Sequence, residues 1–274
     1  MENQPSSSES FFPKNLMTSE FSPNRKFVQF LVKLRNNPGA LQEVAGVVSK
    51  RGVNIMSGFH GAPPDVSEGF WSFFADLTET ESRLPDIVRE ISALPSVLDV
   101  RYREGASGFI ADSFHFPPMW GGDPAVIMRR DALGGVFARV NEILGWGSAA
   151  GVIIYEMGEA AGRAGYQKFK AIMGDAVIEK EYLQIADVYR AIGWGIISFR
   201  RNLGNQRSVE AVIADNFECL HYKGQASSPR SQFVRGALAG WFSEMYHTRI
   251  KCTENLCIAK GDQYCEFTIE KTTQ

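Results

Sequence analysis

Residues 252–267 constrain the fold of this chain more than any other stretch. They hold three of its four cysteines, Cys252, Cys257 and Cys265, with Glu254 three residues ahead of Cys257. Gly261-Asp262 is turn chemistry, because glycine tolerates positive φ and aspartate bonds its own backbone. Residues 249–252 and 264–269 on either side favour extended structure. A turn between two strands folds Cys257 back towards Cys265, so that thiols and a carboxylate converge. Such a set either holds a metal or is the buried inside of a hairpin.

Four cysteines in 274 residues are too few for a disulfide framework. Their clustering points to a reducing compartment, with metal binding or plain burial as their use. Residues 1–25 are rich in Ser, Pro and Asn and read as a disordered tail without the pattern of a signal peptide. No apolar run approaches the ~20 residues that span a bilayer. The expectation is a cytoplasmic protein with no membrane partner. The net charge of −2 gives no electrostatic reason to bind nucleic acid, and no helix-turn-helix with a basic recognition helix is visible.

From residue 26 the periodicity is regular. Residues 27–34 are a strand. Asn36-Asn37-Pro38-Gly39 is a turn, with Pro38 suited to the first position of a helix. Leu41, Val44, Ala45 and Val48 share one helical face, closed by Arg51-Gly52. Residues 53–59 and 70–77 are strands, Leu84, Ile87, Val88 and Ile91 mark a second helix, and residues 97–102 a fourth strand. The order is βαββαβ, the ferredoxin-like split. Over residues 26–104 the chain resembles an ACT domain, through Asn37-Pro38-Gly39-Ala40-Leu41 and Gly52-Val53-Asn54-Ile55. The resemblance implies either an amino-acid-like ligand at Asn37, Gly39, Ala40, Leu41, Asn54 and Ile55, or a module that pairs two chains. A helix N-terminus beside a glycine suits a carboxylate in any case.

Residues 105–122 read as a partly packed linker, too aromatic to be freely solvated, with His115 as a packed side chain rather than a ligand. The second domain, 123–270, is expected to start with a strand at 124–129. Asp131 then caps a helix. A long helix over 149–172 carries Gly151, Gly158, Gly162 and Gly165, each costing about 1 kcal/mol relative to alanine; close packing of another helix explains them. A third helix starts at Tyr182. Two strands at 194–200 and 208–214 are joined by a hairpin signal at 202–205. Residues 217–222 extend the second strand or form a short loop element. A last helix presents Phe233, Ala237, Leu238, Trp241, Phe242 and Met245, before the cysteine hairpin.

The last helix, together with Cys252, Glu254, Cys257, Lys260-Gly261-Asp262 and Cys265-Glu266-Phe267, resembles a 4-vinyl reductase-type domain over about residues 120–270. That implies an α+β fold, here an antiparallel sheet packed on helices around an apolar pocket, and a small-molecule binder rather than an enzyme. The family is similar to the sensor domain of aromatic-responsive bacterial activators and to vesicle-tethering subunits. Its metal-holding members imply a structural zinc on Glu254, Cys257 and Cys265. Their remaining ligand, a cysteine at the start of the last helix, falls at Ser231; Cys219, His221 and Cys252 are the candidates to replace it.

No Ser-His-Asp set, phosphate loop or dinucleotide fingerprint is visible, so no catalytic residue is expected. The chain reads as a homodimeric small-molecule sensor that signals to a protein partner. Two alternatives are an enzyme or accessory protein of tetrapyrrole or vinyl-aromatic metabolism, and a dimeric scaffold holding an acyl chain.

Overall fold

The computed structural model describes residues 11–63, 65–145, 149–174, 178–201 and 208–272. The chain divides into two compact units between Val126 and Ile127.

In chain order the first unit contains β1 (Ser19–Phe21), β2 (Phe27–Arg35), α1 (Ala40–Lys50), β3 (Asn54–Gly61), β4 (Glu68–Asp76), α2 (Leu84–Ser92), β5 (Val97–Glu104), β6 (Phe109–Ala111), β7 (Met119–Trp120) and β8 (Asp123–Pro124). Strands β3-β4-β2-β5 form one antiparallel sheet, the ferredoxin-like order. Alternation along β2 sends Val28, Phe30, Val32 and Leu34 to the helical face. There they are buried with Val44, Val47 and Val48 of α1 and Ile87 and Ile91 of α2. α1 begins at Ala40, not at Pro38. Gly39 is its N-cap with φ of 94°, in the left-handed region that glycine reaches without strain. Gly52, with φ of 67°, closes α1 as expected.

The other face of β2 carries Phe27 and Gln29, and it corrects the expectation for the flanking segments. Phe27, Phe74 and Ile110 form a second small core with Met17 against it. β1 pairs antiparallel with β6, Ser19 opposite Ala111 and Phe21 opposite Phe109. Residues 19–21 are therefore ordered rather than tail. The first part of the expected linker belongs to this unit, because an open sheet face with two phenylalanines needs cover. Gln29, fully buried, holds the cover down. Its Nε2 donates to Asp112 at 2.7 Å and Ser72 at 3.3 Å, and its Oε1 accepts from the Ser113 N–H at 3.0 Å and hydroxyl at 3.2 Å. His115 is packed as expected, with Nδ1 2.9 Å from the Asp112 carboxylate and its ring against Phe59.

The second unit contains α3 (Arg130–Leu144), α4 (Ala149–Met173), α5 (Ile178–Ala191), β9 (Ile196–Arg201), β10 (Ser208–Ala214), α6 (Phe217–Leu220), α7 (Gln232–Tyr246), β11 (Ile250–Leu256), a 3-10 turn (Ile258–Lys260) and β12 (Cys265–Lys271). Its antiparallel sheet runs β11-β12-β10-β9. The fold class is thus α+β with two antiparallel four-stranded sheets. Two local expectations fail. Residues 125–129 form no strand: only Asp123 and Pro124 pair, with Trp120 and Met119, and Val126 beyond them is 89% exposed. Asp131 does not cap α3, which starts one residue earlier; its carboxylate takes the Arg129 guanidinium at 2.6 and 2.9 Å instead. The hairpin signal at 202–205 lies outside the described residues.

The glycines of α4 do meet a helix. A Cβ on Gly158 or Gly162 would lie 2.0 Å from the carbonyl oxygen of Phe233 or Ala237 on α7. Gly236 and Gly240 of α7 face the carbonyls of Tyr155 and Glu159 just as closely. The two backbones touch, so four glycines serve one crossing. Gly151 and Gly165 have ordinary contact space to Gln232 and Trp241. Around this pair, rings occupy the interior that the sequence assigns to an apolar pocket. Phe137, Trp194, Phe217 and Phe233 form one ring cluster, and Tyr182, Phe199 and Phe242 another. Three cavities of 310, 590 and 630 Å³ open on this unit, each with charged side chains in its wall.

Candidate metal centre

The start of α7 brings the cysteine hairpin together with a segment that periodicity does not mark. Asn216 caps α6, its side chain accepting from the Glu218 N–H at 3.2 Å. Residues 217–220 are therefore one helical turn, not an extension of β10. That turn aims two buried groups at α7. Glu218 accepts the N–H groups of Phe233 and Val234, each at 2.9 Å, and so satisfies two of the donors a helix leaves open at its N-terminus. Burial pushes Glu218 up to about 8, against these hydrogen bonds, which favour its ionised form. Cys219 lies beside it, fully buried.

The hairpin supplies the rest. β11 is irregular between Glu254 and Leu256, and the chain then turns through the 3-10 turn and Gly261, φ 104°. Asp262 fixes this knuckle by accepting the Cys257 N–H at 2.8 Å. One donor atom each from Cys219, Glu254, Cys257 and Cys265 then lies within 4.8 Å of the other three. Cys219 Sγ is 3.4 Å from Cys257 Sγ. Sulfurs bound to one tetrahedral zinc stand about 3.7 Å apart, from Zn–S bonds of about 2.3 Å. Three soft sulfurs and one carboxylate, from two separate chain segments, are a set that can hold a metal.

Ser231 sits among them at the N-cap of α7. Its hydroxyl donates to Glu254 Oε1 at 2.6 Å and lies 2.9 Å from Cys219 Sγ and 3.6 Å from Cys265 Sγ. Its backbone N–H donates to the other Glu254 oxygen at 3.1 Å. The N–H groups of Arg230 and Ile258 point at the sulfurs of Cys257 and Cys265, each at 3.4 Å, an arrangement that favours thiolate. Hydrogen bonds from the Cys219 and Cys265 thiols hold Cys257 well below the ordinary thiol range, and the same sharing raises Cys219. Burial, and then the charge on Cys257, push Glu254 up to about 9. Without a cation the cluster holds one negative charge easily and resists a second.

Of the sequence candidates, Glu254, Cys257 and Cys265 converge. Cys219 joins them, while His221 and Cys252 do not. His221 is exposed with its ring against Tyr222. Cys252 is buried opposite Ile269, one pleat from Glu254. Glu218 and Asn216 were missed; the signal for them was a helix-capping asparagine followed by an acid in the first turn.

The six residues expected to bind a ligand in the first unit divide into two groups. Asn54 pairs with Asp76, and Asp76 with Phe27, so Asn54 and Ile55 lie by the start of β2. Asn37, Gly39, Ala40 and Leu41 follow its other end, about 27 Å along a nine-residue strand. Ala40 is buried, and Leu41 and Ile55 pack on the core, whereas Asn37 and Asn54 are exposed. One chain does not bring these groups together.

Residues 209–271 match the vinyl-4-reductase domain. An uncharacterized protein of Methanocaldococcus jannaschii is 23% identical over 128 residues, 47% of this chain and 69% of that one. The phenol-responsive sensory domain of the transcription activator PoxR, solved with phenol, is 18% identical. It covers 56% of this chain and 79% of its own at a TM-score of 0.50, a likeness of fold. An ACT domain from the GTP pyrophosphokinase of Chlorobium tepidum is 14% identical and covers 29% of this chain and 99% of its own. Its TM-score of 0.25 is slight, and the ferredoxin-like order of the first unit rests on its own strand register.

Proposed function

We propose that this chain is a non-enzymatic, ligand-responsive regulatory protein whose second unit is clasped by a structural zinc ion. The observation that carries the reading is the convergence of Cys219, Glu254, Cys257 and Cys265 in and beside the segment that matches the vinyl-4-reductase domain. These four residues would hold the ion, and zinc would supply strong bonds between α6 and the β11–β12 hairpin at the start of α7. The ligand of this unit is an apolar or aromatic small molecule. The fold likeness to a phenol-responsive sensory domain and the ring clusters of the interior support it. In the first unit, an amino-acid-like ligand at Asn37–Leu41 and Asn54–Ile55 needs a second chain to bring the two groups together, which is the reason to expect a homodimer.

Elemental analysis of protein purified without chelator tests the clasp. One zinc per chain is expected, lost in Cys219→Ser and kept in Ser231→Ala. In Cys219→Ser/Ser231→Cys the metal should return, because Ser231 Oγ lies 2.9 Å from Cys219 Sγ and beside Glu254. A metal-free native protein would overturn the reading. Calorimetry with phenols and with amino acids tests the ligand; no binding from either class would refute the sensor role while leaving the clasp standing.

A further inference from the structure

The 310 Å³ cavity shares a wall with the metal centre but differs from it in chemistry. Asn141, Ser228, Arg230, Gln232, Arg235 and Thr253 line it, and Glu254 forms part of the wall. Both oxygens of Glu254 are engaged by Ser231. What faces the space is thus two guanidinium groups with amide and hydroxyl side chains.

Arg235 is built in rather than solvated. Its guanidinium lies over the Tyr155 ring, 4.7 Å from the centroid, and its Nη2 donates to Gln232 at 2.6 Å. Its Nε is shut away from solvent without a hydrogen-bond partner, and among the described residues no carboxylate pairs with it. A buried N–H of a charged group left unmade is costly, and a planar fork held in one orientation matches an oxyanion.

We propose that this cavity binds a small oxyanion, a carboxylate or a phosphate, with Arg235 as its anchor and Arg230 and Gln232 as further donors. This site is separate from the aromatic-ligand reading and does not depend on a metal. The competing account is that the two arginines only offset the charge of the thiolate cluster.

Titration calorimetry of the full chain with inorganic phosphate and, separately, with succinate tests the proposal. Saturable binding of at least one is expected; succinate alone would assign the site to organic acids, phosphate alone to phosphoryl compounds. Arg235→Gln should weaken binding by about tenfold or more, since a charge-assisted pair is removed. Arg235→Lys, the variant that keeps the charge and is least prone to misfold, should weaken it by less because the fork is lost. Zinc content should stay unchanged in both variants. Absence of binding by both anions overturns the proposal, as does undiminished binding in Arg235→Gln. Loss of zinc in that variant without anion binding would assign the arginines to the cluster instead.

Discussion

Each unit buries a polar cluster that ties distant segments together, and the two clusters differ in whether their donors and acceptors balance. Gln29 uses both hydrogens of its amide nitrogen and both lone pairs of its oxygen, on Asp112, Ser72 and Ser113. Asp112 takes further hydrogen bonds from the Phe114 N–H and His115. That network is complete as it stands. The second cluster gathers three thiols and a carboxylate, with N–H groups aimed at two of the sulfurs and, among the described residues, no cationic side chain paired with Glu254. Buried acceptors in excess are stabilised by a cation or by retained protons. The first cluster is a finished latch; the second is a receptacle.

The largest expected effect separates them directly. Stripping metal with a strong chelator should destabilise the second unit by on the order of 5 kcal/mol or more, since structural metal binding is folding free energy. The first unit should not respond. Calorimetric melting with and without chelator would show one transition shifting and the other fixed. Two fixed transitions would break the comparison.

Next in size is a control on what else holds the second unit. Gly162→Ala places a methyl 2.0 Å from the Ala237 carbonyl oxygen, where backbone must yield. A loss of about 3 kcal/mol is expected, read by denaturant unfolding of the zinc-loaded protein. If the loss is as large as that from metal removal, the helix crossing and the clasp are equal supports.

Parts of this were legible from residues alone. The βαββαβ order follows from the period of Val28, Phe30 and Val32 and from the face of Leu41, Val44 and Val48, patterns long enough to read. The close crossing of α4 was legible because Gly158 and Gly162 make no sense in a helix without it. The β1–β6 cover was not, since three residues carry no period and the pairing joins the two flanks of the sheet. Residues 124–129 misled because an apolar run resembles a strand whether or not a partner exists. At the site, Glu254, Cys257 and Cys265 were legible through the turn between them. Cys219 stayed an open choice among three because a four-residue helix has no face to read.

The first latch has a matching test. Gln29→Leu keeps the volume and removes all four hydrogen bonds, leaving Asp112 and Ser113 in part unsatisfied. About 2 kcal/mol should be lost, from the first unit alone. Urea unfolding followed by the fluorescence of Trp71, a residue packed on that unit's core, would report it. A shift in the second unit's transition instead would show that the two clusters are not independent.

The smallest effect concerns pH and carries a definite sign. Burial works to raise Asp112, but hydrogen bonds from Gln29 and His115 prevail and hold its carboxyl below the ordinary value of 3.8. The folded state therefore binds this proton less readily than the unfolded chain does. The stabilisation is present in full above that ordinary value and is lost as the pH falls through the lower, folded one. In Asp112→Asn the first unit should be less stable at neutral pH, and the gap to the native protein should narrow on acidification below pH 3.8. Unfolding curves of both proteins at stepped acidic pH would measure the gap. A gap that stays constant would mean that the latch works through its neutral hydrogen bonds alone and that the carboxylate charge adds nothing to it.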